Sequence, residues 1–141
     1  MSVTNFDHYT IRARDVDVSA RFYNEIMGFR IEALNGFDFP FRLLLLGEQA
    51  LVHLLGAGAE LDKFLERYAP SHESGVARTT GNMEHVAFNA TDIKDFINRI
   101  KAAKIHYVQR TLVDYGVAQL LFNDPDGIEI EVNFSLKEIE K

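Results

Sequence analysis

Asp7-His8-Tyr9-Thr10-Ile11-Arg12-Ala13 and Glu84-His85-Val86-Ala87-Phe88-Asn89-Ala90 are two versions of one segment, 77 positions apart. Each alternates polar and apolar residues, and a period of two marks a half-buried strand. The correspondence extends outward from both. Asp15 falls on Asp92 and Val16 on Ile93, and Arg42-Leu43-Leu44-Leu45 falls on Gln119-Leu120-Leu121-Phe122 at the same shift. One residue more, at a shift of 78, sets His53 on Glu131. Few of the paired residues are identical. The shared order of element types carries the argument, because an internal repeat decides architecture.

In each half a helix should follow the first strand. Asp15 or Asp17 can cap the first, whose apolar positions Val18, Phe22, Ile26 and Met27 recur at helical spacing. Asp92 can cap the second, with Ile93, Phe96, Ile97 and Ile100 as its stripe. Gly28 stands where the first helix should end. Three strands then follow in each half: about Phe29–Leu34, Phe41–Leu46 and Ala50–Leu55, then about Ile105–Thr111, Val117–Asn123 and Ile128–Phe134. Asp124-Pro125-Asp126-Gly127 is a turn between the last two. The expected organisation is a single domain over residues 1–141, with module one at 6–55, a linker at 56–81 and module two at 82–134. Within the linker, Ala59 to Ala69 reads as a short helix, and Pro70 to Gly81 as a polar, mobile loop.

Alternation assigns faces. Tyr9, Ile11 and Ala13 can pack on the first helix, leaving His8, Thr10 and Arg12 on the other side. Val86 and Phe88 pack in the second half, leaving His85. In the last strand Ile130, Val132 and Phe134 pack, leaving Glu129, Glu131 and Asn133. His53 lies among Leu51, Val52, Leu54 and Leu55, so the pattern leaves its face open, and its match to Glu131 settles it. A sheet with polar residues on its helix-free face should curl that face into a cup or meet another sheet. Two half-sheets side by side would bring His8, His53, His85 and Glu131 together. Three imidazoles and one carboxylate suit a divalent Zn, Ni, Co, Mn or Fe ion with positions left open. A lone strand histidine is more often a hydrogen-bonded, partly buried residue, and a lone strand glutamate a solvated one. What argues otherwise is that three of the five histidines fall on repeat-related positions and a glutamate fills the fourth. His72 and His106 have no such partner and keep the ordinary reading.

The composition excludes several classes. Of 141 residues 47% are hydrophobic and 26% charged, as in ordinary globular proteins. The net charge of −6 argues against a nucleic-acid partner. No apolar run approaches the roughly 20 residues of a membrane span. No signal peptide is visible from Met1 to Asp7, and there are no cysteines, which rules out thiolate ligands and disulfides. Both features fit a cytoplasmic location.

The chain resembles the vicinal oxygen chelate superfamily, which groups glyoxalases, bleomycin resistance proteins and extradiol dioxygenases. The residues that carry the resemblance are Asp7-His8-Tyr9-Thr10-Ile11, Ala20-Arg21-Phe22-Tyr23 with Met27-Gly28-Phe29, Glu84-His85-Val86-Ala87-Phe88, and Asn123-Asp124-Pro125-Asp126-Gly127 running into Ile130-Glu131. The resemblance implies an α+β fold, two tandem βαβββ modules forming a cupped mixed sheet around a central metal site. Carried over position by position, the ligands are His8, His53, His85 and Glu131. It also implies bidentate chelation of substrate oxygens and a glutamate able to act as base. Bacterial glyoxalase I typically has glutamate, and the epimerases glutamine, where this chain has His53. No clear set of glutathione-binding residues is present.

The activity expected is therefore of lyase or isomerase type on a small molecule, with stabilisation of a developing enolate. An extradiol ring-cleaving dioxygenase is the alternative within the enzymes, and a metal-free, bleomycin-resistance-like binding protein the alternative outside them. Arg12, Arg42, Gln119 and Asn133 are the polar residues that alternation places in the cup. Arg12 or Arg42 could hold a substrate carboxylate, and ordinary solvent contact is the other reading of each. Phe37-Asp38-Phe39-Pro40-Phe41 could wall an apolar part of the substrate, pack in the core or meet a second subunit. Exposed strand edges and the superfamily's habit point to a homodimer.

Overall fold

The computed structural model describes Phe6 and residues 8–68 and 85–139. The chain divides into two compact units, Met1–Ala77 and Arg78–Lys141. The first runs β1 (Tyr9–Ala13), α1 (Val16–Glu25), β2 (Arg30–Ala33), β3 (Phe41–Leu46), β4 (Gln49–Gly56) and α2 (Ala59–Tyr68). The second runs β5 (His85–Asn89), α3 (Ile93–Ala102), β6 (Tyr107–Leu112), a short 3-10 turn at Val113–Tyr115, β7 (Val117–Asn123), β8 (Glu129–Ser135) and α4 (Leu136–Ile139). Both sheets are four-stranded and wired alike, in the orders β1-β4-β3-β2 and β5-β8-β7-β6. The first strand of each runs parallel to the last, and the other pairs are antiparallel. This is the α+β, paired βαβββ architecture that the repeat predicts.

Asp15 caps α1, accepting from the backbone N–H groups of Asp17 and Val18 at 3.0 and 3.1 Å. The row that α1 buries is Val16, Ala20, Phe22 and Tyr23, with Ile26 just beyond. Phe22 and Ile26 are buried as predicted, whereas Val18, expected in that row, is 46% exposed, because the first turns face inward through Val16, Ser19 and Ala20 instead. The sheet answers with Ile11, Ala13, Leu44, Val52 and Leu54, all buried. In β4 the residues between, Leu51 and Leu55, are buried as well. For Leu55 the cause is α2, whose Leu61 joins Phe39 and Leu55 in a small core with Phe41, Phe64 and Leu65 packed round it. Part of the predicted linker is thus an integral layer of the first unit. Pro70 to Gly81, expected to be a mobile loop, and His72 lie outside the described residues. No described helix is long and apolar enough to cross a membrane.

In the second unit Asp92 caps α3, as predicted, through a 3.1 Å bond from Asp95 N–H. Ile93, Phe96 and Ile100 are buried. The Phe96 ring meets Phe122 and Phe134 at centroid distances of 6.1 and 5.7 Å. Asp124, itself buried, shapes the turn before β8 by accepting from the N–H groups of Asp126 and Ile128, both at 2.8 Å. That turn fixes where β8 begins and hence which of its residues face the helix.

The two helices end differently. Gly28 takes a left-handed φ of +78° after α1, whereas after α3 the corresponding place is held by Lys104 at +57°. Two backbone bonds, Lys104 N–H to Lys101 O and Ile105 N–H to Ile100 O, lock it there. A side chain with a Cβ is disfavoured in this conformation by about 1 kcal/mol. Lys104→Gly is therefore expected to stabilise the protein by about that amount and raise its thermal midpoint by a few degrees. A thermal melt with an unchanged or lower midpoint would contradict the assignment.

Candidate metal centre

In the first unit His8 directly precedes β1 and His53 is in the middle of β4. Strand register puts His53 beside Thr10 and Leu43, on the face opposite the fully buried Val52 and Leu54. His53 therefore lies on the face away from α1, where sequence alternation alone left it open; α2 packs on that same face further along, against Leu55 and Phe41. The two imidazoles stack, with centroids 3.7 Å apart and planes 7° from parallel. Parallel rings at that distance cannot both place an in-plane lone pair on one ion at about 2.1 Å. Loading such an ion needs at least one ring to turn about its side-chain torsions.

In the second unit His85 begins β5 and Glu131 stands in β8, again on the face away from α3. His85 Nε2 lies 3.3 Å from Glu131 Oε2. Two donors on one ion with bonds of about 2.1 Å stand a little over 3 Å apart, so this pair is already spaced as co-ligands. Glu131 is only 7% exposed, and an unpartnered carboxylate at that depth would be costly. Its partners are explicit. Gln119 Nε2 donates to Glu131 Oε1 and to Asn133 Oδ1, both at 2.8 Å. Arg110 Nε donates to Gln119 Oε1 at 2.6 Å, and Arg110 Nη2 lies 4.0 Å from Glu131 Oε2.

The donor set fits a divalent ion in its chemistry, three imidazoles and one carboxylate. Each unit by itself brings together two of the four residues that the sequence pattern singles out. Among the described residues no group of three or more His, Asp or Glu side chains is gathered closely enough to hold a metal.

The polar residues expected around the site divide. Gln119 and Asn133 share the Glu131 face, paired across β7 and β8. Arg12 lies on the His8 face and is ion-paired with Asp62 of α2. Arg42 differs from expectation. It pairs with buried Leu54 and turns to the helix side, its Nη2 3.6 Å from Asp17 in α1. The reason is the repeat register. Leu43 lies beside His53, and Leu121 beside Glu131, so the shift is already 78 in β3 and β7. The counterpart of Gln119 is Phe41, and Arg42 corresponds to buried Leu120. Arg110 and Asp62 were missed by sequence reasoning. Arg110 sits in Val108-Gln109-Arg110-Thr111, which shows no alternation, and only strand pairing reveals that it faces Gln119.

The aromatic stretch before β3 serves two purposes. Phe39 is buried as core, while Phe37 is 39% exposed. Phe37 contacts Phe41 at 5.1 Å and Phe64 at 5.7 Å between centroids. Phe41 in turn lies 5.8 Å from the His53 ring. A pocket lined by Gly36, Phe37, Asp38, Phe39, Glu60, Lys63 and Phe64 opens beside this cluster.

Residues 5–132 match the model of the Glyoxalase/Bleomycin resistance protein/Dioxygenase superfamily. Glyoxylase I 4 of Arabidopsis thaliana is 31% identical, over 94% of this chain and 71% of that one. A fosfomycin resistance protein from Listeria monocytogenes superposes with a TM-score of 0.65, at 18% identity, covering 97% of this chain and 98% of its own. An antibiotic binding protein from Streptomyces sp. CB03234 superposes at 0.64, with 15% identity and coverage of 96% and 98%. The two structural likenesses show the fold.

Proposed function

The chain belongs to the Glyoxalase/Bleomycin resistance protein/Dioxygenase superfamily, and we propose that within it the protein is a metal-dependent enzyme of glyoxalase, that is lyase or isomerase, type. His8, His53, His85 and Glu131 would together hold one divalent Zn, Ni, Co, Mn or Fe ion. When bound, the ion supplies Lewis acidity to two neighbouring oxygens of a small substrate. Glu131 takes a proton from the carbon next to the substrate carbonyl. Its carboxylate is kept in place for this by Gln119 on one oxygen and His85 on the other. Asn133 and Arg12 meet polar groups of the substrate, and a carboxylate that engages Arg12 competes with Asp62 for it. The observation that carries the reading is the buried Glu131 itself, an acid held among hydrogen-bond donors on a helix-free sheet face. A solvated strand glutamate would have neither its burial nor its partners.

The test is a screen of metal-reconstituted protein over 2-oxoaldehyde thiol adducts, acyl-CoA thioesters and catechols. Turnover in one of the first two classes is expected. Ring cleavage of a catechol would replace the reading with the dioxygenase one. Tight drug binding without turnover or metal would replace it with the binding-protein one.

We further read the protein as a cytoplasmic homodimer. The edge strand β2 bears Ile31 at 38% exposure and the edge strand β6 bears Val108 at 53%. Apolar side chains on open edges call for a cover. Light scattering at micromolar concentration should give twice the chain mass of 16.1 kDa, and a monomer there would refute the dimer.

A further inference from the structure

Strand register shows that one cross-strand row differs in kind between the two sheets. In the first sheet the row is Leu34, Phe41 and Leu55, joined by the Leu34 N–H to Phe41 O bond and the Phe41–Leu55 pairing. In the second sheet the same row is Arg110, Gln119 and Asn133. The first sheet shows that this architecture accepts apolar residues there. Burying Gln119 to 6% exposure is a cost that folding alone does not require.

The row lies beside Glu131, and its hydrogen bonds have one direction. A guanidinium only donates. Arg110 Nε therefore holds the Oε1 side of the Gln119 amide, at 2.6 Å. That leaves the amide's Nε2 side facing Glu131 Oε1 and Asn133 Oδ1, which it reaches at 2.8 Å each. Were the amide reversed, Oε1 would face two acceptors. We infer that Arg110 is a positioning residue for Glu131: it sets the orientation of the Gln119 amide, and the amide holds the carboxylate in the attitude from which it binds metal and accepts a proton. Arg110 acts through this amide, its own Nη2 standing 4.0 Å from Glu131 Oε2. The same chain of donors turns Asn133 Oδ1 toward Gln119, so that the group Asn133 offers elsewhere is a donor.

The inference rests on the role of Glu131 proposed above, and its test separates the two. Arg110 is about half exposed, so Arg110→Met should leave the fold intact. In titrations with Co2+ alone, Arg110→Met and Gln119→Leu are each expected to weaken binding roughly tenfold, the lower end for loss of a partner behind a ligand. Arg110→Lys, which keeps a donor, should restore part of that loss. In a Glu131→Gln background Arg110→Met should cost nothing further, because its effect passes through Glu131. An equal loss in both backgrounds would overturn the inference, since a merely structural role penalises both. A second readout needs no metal. The side-chain amide protons of Gln119, assigned by their absence in Gln119→Leu, should exchange slowly in the unsubstituted protein and several-fold faster in Arg110→Met. Unchanged exchange would overturn the inference. Should the unsubstituted protein bind no Co2+, the titrations use whichever of Zn2+, Ni2+, Mn2+ or Fe2+ it retains; should it retain none of the five, the metal reading falls, and the amide exchange alone decides for or against the relay.

Discussion

His85→Ala is expected to strip most of the divalent metal from the protein while leaving its fold unchanged. His85 begins β5, an edge strand, and its side chain is 36% exposed. Its removal opens no cavity in the core, which the second unit builds from Ile93, Phe96, Ile100 and the facing β7 and β8 residues. What it does remove is one of the four proposed donors, and it leaves Glu131 Oε2 without its 3.3 Å neighbour. Loss of a residue that merely supports a ligand costs about 10- to 100-fold in metal affinity, and loss of a ligand should exceed that. Metal content and circular dichroism measured on the same preparation check both halves of the statement. A variant that folds and keeps its full metal complement would remove His85 from the ligand set.

Glu131→Gln separates holding the metal from moving the proton. The substitution keeps the side chain's size and one oxygen that can still accept from Gln119 Nε2. Three imidazoles remain to bind the ion, more weakly. Basicity is what disappears. Turnover on the substrate found by the screen is expected to fall on the order of a hundredfold or more, the scale of a lost general base, with appreciable metal and the fold retained. His53→Gln should be milder, since it removes no base and recreates the glutamine that the resemblance gives for the epimerases at this position. Parallel measurement of kcat and metal content on the two variants is the check. Near-normal turnover in Glu131→Gln would reject the base role and leave Glu131 as a ligand only.

The repeat made most of the fold legible. Alternation around His8 and His85, the caps Asp15 and Asp92, and the Asp124 turn are local signals, each acting within a few residues, and each element they announce is present. Signals that depend on contacts distant in sequence were harder to read. Leu55 blurred the alternation of β4 because α2 covers it, and nothing within β4 encodes α2. The face of Arg42 depends on where one extra residue enters the repeat. Identities are too few to locate it, and the pairing of Leu43 with His53 does so. Arg110 depends on the β6–β7 register, which its own strand's composition leaves open. At the candidate site the identities of the four proposed ligands were visible as a pattern. The support behind Glu131 became visible only once strands were paired.

The account turns on one divalent ion per chain. Elemental analysis after reconstitution with Zn2+, Ni2+, Co2+, Mn2+ or Fe2+ and removal of excess tests it most directly. The account predicts close to one equivalent of at least one of these ions in the unsubstituted protein, with less in His8→Ala, His53→Ala and His85→Ala alike. No retained metal under any of the five conditions, or one equivalent undiminished by all three substitutions, would contradict it.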